Sequence, residues 1–228
     1  MSIADPRKYQ CPYCNAKFIR EKTMHIHVCE QKRRHFAKSE KHVRIGFDVF
    51  NRFFQLHYNT QKTYEEFARS RYYHNFVQFG SFLNNVHPLY PDKFIDYLLR
   101  TDVPIAKWTS DTVYDEYIWK LVKTESVETA LERSINSMIA WGEEKELPWH
   151  TYFVNVSKSR ATYNIKDGYI SPWLVLNSNN GKKMIKQFDH KQLETVEKVL
   201  DIRYWLQVFK NKSDDTQLVK DIIEQAGL

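Results

Sequence analysis

Three cysteines and a histidine near the start of the chain have the types and spacing to do chemistry. Cys11 and Cys14 are separated by two residues, a spacing that lets two thiolates from one tight turn reach the same tetrahedral ion, and Pro12 stiffens that turn. His27 follows thirteen residues after Cys14, and Cys29 two residues after that, giving Cys-x2-Cys-x12-His-x-Cys. Such a donor set is suited to Zn2+. Phe18 and Met24 stand where a common ββα finger packs its apolar side chains beneath the metal.

The pattern departs from the common finger at its last ligand, which would fall on Gln31, a poor donor. Cys29 takes that role only if helical geometry ends or loosens at His27, because residues two apart do not share a helical face. Two other sets stay open: His25, four residues before Cys29 and on the same helical face, or His35 after a longer excursion. Cys11, Cys14, His27 and Cys29 are the expected ligands, since that register alone keeps Phe18 and Met24 in place. All three cysteines of the chain fall within nineteen residues. Their odd number, the adjacent histidines and the lack of an apolar leader argue against a disulfide and for a reducing cytoplasm.

Charge points to the same region. Residues 1–44 carry eleven Lys or Arg against four Asp or Glu, whereas the other 184 carry 23 against 24. The basic excess therefore sits in the finger and the segment leaving it. Lys17, Arg20, Lys22, Lys32, Arg33, Arg34 and Lys38 are the candidate phosphate contacts, with Lys41 and Arg44 beyond them. Tyr9, Tyr13, Phe18, His35 and Phe36 add rings able to stack. A helix C-terminus accounts for about two or three cations of the run Gln31 to His35, but not for all nine. One finger reads only about three base pairs in known arrays, so specificity would need dimerisation, the rest of the chain or another protein.

The elements that must position these residues read as helix after helix. With 228 residues, 42% hydrophobic and 15% aromatic, the chain has room for a metal module and a packed helical domain. No run of about 18 apolar residues spans a membrane. Val43, Phe47, Phe50 and Phe54 form a stripe over 41–58, and Thr63 with Glu66 makes a capping box for a second helix burying Tyr64, Phe67, Tyr72, Phe76, Phe79 and Leu83. Pro91 can start a short helix to Leu99, Ser110 can cap one through Val122, and Ser126 caps a long one ended by Pro148. Another is expected from Pro148 to Ile165, closed by Gly168, and a start at Ser171-Pro172. Asn179-Asn180-Gly181 reads as a turn, and Asp189 with Gln192 opens a helix carrying Leu193, Val196, Val199 and Leu200. A last helix runs from Ser213 to Gly227. Val154 to Val156 and Trp173 to Leu176 are short β-like runs in helical contexts. The expected fold class is mostly α: a zinc finger over 1–41, ββα or zinc knuckle plus helix, followed by a multi-helix domain over 42–228.

Motifs for catalysis are scarce. The chain has no phosphate-binding Gly-x4-Gly-Lys-Ser/Thr loop, no His-Glu-x2-His and no Gly-x-Ser-x-Gly elbow. Asp111, Asp115 and Glu116 gather at one predicted helix start, where acids favour the dipole without any catalytic role. Lys158 to Lys166 with Lys182, Lys183 and Lys186 is read as an ordinary cationic helix surface, since nearby acids balance it.

The His27-x-Cys29 ending with Lys32-Arg33-Arg34, the run Arg44 to Phe53, Ala130 to Ile135, Ser159 to Thr162 and Ile170 to Trp173 together resemble zinc-finger proteins of large T4-like tailed bacteriophages. That resemblance covers most of the chain and brings no activity or catalytic residue with it. It implies a protein acting in a host bacterial cytoplasm, in replication, recombination or transcription. The expected function is a non-enzymatic accessory protein that binds nucleic acid, DNA ahead of RNA, with a polymerase, helicase or similar machine as protein partner. The other reading is a docking adaptor or inhibitor that binds a host or phage enzyme.

Overall fold

The computed structural model describes residues 8–228; the first seven residues of the expected finger lie outside the described residues. The described chain is helical apart from one two-stranded antiparallel ribbon, which is the expected fold class. No helix among the described residues is long and apolar enough to cross a membrane.

The ribbon pairs β1 (Tyr9–Gln10) with β2 (Lys17–Phe18), placing Tyr9 opposite Phe18. Two short helices follow, α1 (Glu21–Ile26) and α2 (Glu30–Phe36), and a 3-10 turn at Ala37–Ser39 leads into α3 (Lys41–Tyr58). The helix expected to start at Thr63 is two helices, α4 (Tyr64–Arg69) and α5 (Tyr73–Val86). The capping box forms, with Glu66 N–H donating to Thr63 Oγ1 at 3.2 Å and Thr63 N–H to Glu66 Oε2 at 2.8 Å. Ser70 then turns extended and restarts the register, so Tyr73 is buried in place of Tyr72. Next comes α6 (Pro91–Leu99), with proline in its first turn as expected.

The chain divides into two compact units between Thr109 and Ser110. The finger thus shares a unit with α3–α6, and the expected boundary at 41/42 does not coincide with this division. The core of the first unit is aromatic: Phe50, Phe67, Phe76, Phe79, Phe94 and Trp108 are at most 2% exposed. Rings meet edge to face, as between Phe50 and Phe76 at 5.3 Å and Phe76 and Trp108 at 5.6 Å. Close approach of α3 and α5 depends on two glycines. A Cβ on Gly46 would lie 2.5 Å from Phe76 O, and one on Gly80 would lie 2.1 Å from His42 O.

The second unit holds α7 (Asp111–Thr124), α8 (Val127–Lys145), α9 (Tyr152–Asn155), α10 (Lys158–Lys166) and α11 (Pro172–Asn177). It continues with α12 (Asn179–Ile185), α13 (His190–Val196), α14 (Ile202–Asn211) and α15 (Ser213–Ala226). Arg133 binds both carboxylate oxygens of Glu125 and donates through Nε to Gly168 O at 2.7 Å, tying α8 to the loop before α11. Four expectations are corrected here. Glu146, left-handed at φ 55°, ends α8 before Pro148. The single helix from Pro148 to Ile165 is broken where Val156 turns extended and Ser157 caps α10. Asn179-Asn180-Gly181 opens α12, with Ser178 Oγ accepting from Gly181 N–H at 3.1 Å, rather than forming a turn. Helix α13 stops at Val196, so Val199 and Leu200 are buried in a loop before Asp201 caps α14, a helix the periodicity reading omits.

Candidate metal centre

The site is built by the ribbon turn and by the break between α1 and α2. Cys11 N–H donates to Ala16 O and Asn15 N–H to Cys11 O, both at 2.9 Å, and Asn15 takes the left-handed conformation at φ 61°. These bonds fold the Cys11–Cys14 segment into a knuckle that aims both sulfurs inward. Helix α1 ends at His27, whose backbone is extended at φ −65° and ψ 121°. Cys29, also extended, is the N-cap of α2, and its Sγ accepts from Lys32 N–H at 3.3 Å. The helix break that His-x-Cys spacing demands is therefore present, and Cys29, the candidate fourth ligand, is also a helix cap.

The donor atoms of Cys11, Cys14, His27 and Cys29 all lie within 4.8 Å of one another. Cys14 Sγ is 3.3 Å from His27 Nε2, and Cys11 is 2% exposed. A tetrahedral ion bonded at about 2.3 Å to sulfur and about 2.1 Å to nitrogen sets its ligands about 3.5 to 3.8 Å apart. The quartet can therefore hold one metal ion with little side-chain movement. Beneath it, the Phe18 ring packs on His27 with centroids 4.9 Å apart, and Met24 is half-buried.

The sulfurs are poised unequally. Burial raises the Cys11 thiol, but hydrogen bonds from the backbone N–H groups of Cys14 and Tyr13 outweigh it and hold Cys11 below the usual thiol range. The backbone at Ala16 lowers Cys14, yet burial and the neighbouring sulfurs of Cys29 and Cys11 push it above that range. Thiolates at Cys11 and Cys14 held this close repel one another unless a cation stands between them. All three cysteines are free thiols.

The alternative ligands lie outside the quartet. His25 Nε2 is 3.6 Å from Glu21 Oε1 on the exposed side of α1, and the His35 ring packs on Tyr13 at 5.0 Å.

The candidate phosphate contacts divide into two kinds. Lys17, Arg20, Lys22, Arg33 and Lys38 are exposed on β2, on α1 and its N-cap, on α2 and on the 3-10 turn. Lys32 and Arg34 are used internally. Lys32 Nζ donates to His25 O at 3.3 Å and to His27 O at 3.4 Å, closing the end of α1. Arg34 donates to Ala68 O at 2.8 Å, pairs with Glu30 at 2.7 Å and lies over the Tyr73 ring at 4.4 Å, while Tyr64 Oη donates to Arg34 O at 2.5 Å. The Glu30 pair is internal to α2, and the contacts with Ala68, Tyr64 and Tyr73 dock α2 on α4 and α5. By sequence both residues read as surface cations; the Glu30–Arg34 spacing of four is the available sign that Arg34 has a local partner.

The acids at the start of α7 supply no comparable cluster: among the described residues the quartet is the metal-ligand group found, and Asp115 instead pairs with Lys166 Nζ at 3.0 Å. Comparison of the chain with protein-family models, curated proteins and solved structures finds no match.

Proposed function

We propose that Cys11, Cys14, His27 and Cys29 bind zinc, and that the module so organised holds nucleic acid through its phosphates as a non-enzymatic accessory protein. The observation that carries the reading is the convergence of three sulfurs and one imidazole nitrogen within 4.8 Å. Thiolate and imidazole donors in a closed four-ligand set suit structural zinc, leaving no position for a substrate. The nucleic-acid part is supported by the cation excess of residues 1–44 together with the exposure of Lys17, Arg20, Lys22, Arg33 and Lys38. DNA as the target ahead of RNA, with a polymerase or helicase as protein partner and a place in phage replication, recombination or transcription, rests on the sequence and its resemblance alone.

The test is a fluorescence-anisotropy titration of the zinc-loaded chain, its metal content fixed by mass spectrometry, against labelled single-stranded and duplex DNA and RNA. Affinity should fall steeply with salt. Replacing the five exposed cations with Ala should flatten the slope on duplex DNA by about 0.9 for each phosphate that is no longer neutralised. Absence of binding at low salt would overturn the nucleic-acid reading while leaving the zinc reading to its own assay.

One observation favours the docking adaptor. Ile19, Ile26 and Val28 are 64%, 70% and 62% exposed, and two of them flank His27. Apolar side chains displayed so openly suit a protein partner better than phosphate. Under that reading Ile26→Ser with Val28→Ser, which add no charge, abolish partner capture and leave nucleic-acid affinity unmoved.

A further inference from the structure

We infer that the groove formed by α7, α13 and the start of α14 is a docking site for a basic amphipathic helix of another protein. The groove encloses ≈ 1180 Å³. Its floor includes Val196 and Leu200, at most 4% exposed, and its walls present Trp119, Leu193 and Ile202 at 41%, 42% and 52% exposure. Leu206, 64% exposed, stands one turn after Ile202 on the same face of α14 and continues the apolar strip. Large side chains left open along one groove are the wall that an amphipathic helix covers with anchors at i, i+3 or i+4, and i+7.

Charge selects the occupant. Glu116, Glu194, Glu197 and Asp201 line the groove, with Asp115 already engaged by Lys166 at 3.0 Å. The lining cations are Lys198 and Arg203, His190 lies 3.4 Å from Glu194, and Lys123 stands against Trp119 at the edge, which leaves carboxylates in excess. An excess of carboxylate around an apolar floor repels phosphate and anionic lipid, and two copies placed groove to groove would set like charges against each other. Lys or Arg flanking an apolar stripe meets both features. The walls already accept a cation: Lys123 Nζ lies 4.0 Å from the Trp119 ring centroid and 3.6 Å from that of Tyr204. The groove uses none of the metal-centre residues and would bind its helix with or without zinc.

The test uses the full chain and two labelled synthetic helices of about 18 residues, five turns. Both carry Leu at i, i+3/i+4 and i+7; one has Lys on the flanks and its twin has Glu. The Lys peptide should bind at least tenfold more tightly than its twin, and chelation should not change this. Ile202→Glu and Glu197→Lys, both at exposed positions, should each weaken the Lys peptide tenfold or more, with helical dichroism unchanged. Glu224→Lys, outside the groove, should have no effect. Equal affinity for the twins, or a Lys peptide indifferent to Ile202→Glu and Glu197→Lys, would overturn the proposal. So would a concentration-dependent dimer in sedimentation that Leu206→Glu dissolves, which would give the groove to a second copy.

Discussion

At the scale of single residues, the structure separates side chains that resemble one another in sequence. Arg33 and Arg34 are neighbours of equal charge, yet Arg33 is exposed and Arg34 is bonded to Ala68 O and Glu30 and lies over the Tyr73 ring. Arg34→Ala should lower stability by about 2 kcal/mol, the scale of a charged hydrogen bond plus a partly buried cation–π contact. Arg33→Ala should leave the melting temperature in place and, on the proposed function, reduce the salt slope of nucleic-acid binding by about 1. A triple alanine variant spanning Lys32 to Arg34 would confuse the two effects, which is why single variants are needed. The convergence of Cys11, Cys14, His27 and Cys29 is legible because residue types and spacing mark a set able to hold a metal; the role of Arg34 is not, because its partner carbonyl lies on an element that only the fold brings near. Tyr152 gives a pH-dependent case. Its ring is buried, and although its hydroxyl accepts from Asn164 Nδ2 at 2.8 Å, burial pushes the phenol up to about 12. The folded state then holds the proton more tightly than the unfolded chain, where phenol titrates near 10. Stability from this group is complete below pH ~10 and is lost as pH rises towards ~12, by at most about 2.7 kcal/mol. Tyr152→Phe should melt lower than the parent at pH 7, through loss of the Asn164 bond, and the gap should shrink or reverse at pH 11. A gap that stays constant across this range would show that Tyr152 ionises as freely in the fold as outside it.

At the scale of elements, the crossing of α3 and α5 tests sterics against propensity. Alanine is a better helix former than glycine by about 1 kcal/mol, so propensity alone favours Gly46→Ala and Gly80→Ala. At both positions the new Cβ would meet backbone of the other helix, 2.5 Å from Phe76 O and 2.1 Å from His42 O, and backbone cannot rotate away. Each substitution should therefore destabilise, by about 1 to 3 kcal/mol, read as a fall in urea midpoint. An increase would mean that the helices separate at little cost. Element prediction succeeded where a local device decides the outcome. Thr63 with Glu66 and Asp189 with Gln192 form their capping boxes, and Gly168 and Gly227 take left-handed φ of 77° and 70°. It failed where tertiary burial overrides the local pattern. Gly181 lies in α12, started by the Ser178 cap, where Val175 O passes so near that a Cβ would sit 2.4 Å from it, an approach invisible in Asn-Asn-Gly. The restart at Ser70 and the missed α14 have the same origin: Tyr73 and Trp205 are buried by packing that periodicity along one helix does not register.

At the scale of the molecule, the issue is how far loss of a metal would propagate. About thirty residues of knuckle and short helices bury too little to fold without help, and Cys11 is the sole apolar or sulfur side chain among 8–36 below 9% exposure. The module also has a second anchor. Arg34, bonded to Ala68 O and to Tyr64 and set against the Tyr73 ring, holds α2 to α4 and α5, so α2 does not depend on ligation alone. Chelation should therefore expose β1, β2 and α1 fully to amide hydrogen exchange and weaken protection of α2 and α4. Protection in α3 and α5, packed through Gly46, Gly80 and the Phe50–Phe76 contact, should remain. The unit beyond Ser110 carries its own core, including Trp141, Tyr152, Trp173 and Trp205, and should keep its protection unchanged. Adding Arg34→Ala before chelation removes the second anchor, and protection in α2 should then vanish together with that of α1. If chelation instead collapses exchange protection across α3 and α5, the metal centre stabilises the whole first unit and the aromatic core cannot stand without it. If it leaves β1, β2 and α1 protected, the quartet is not what folds the knuckle.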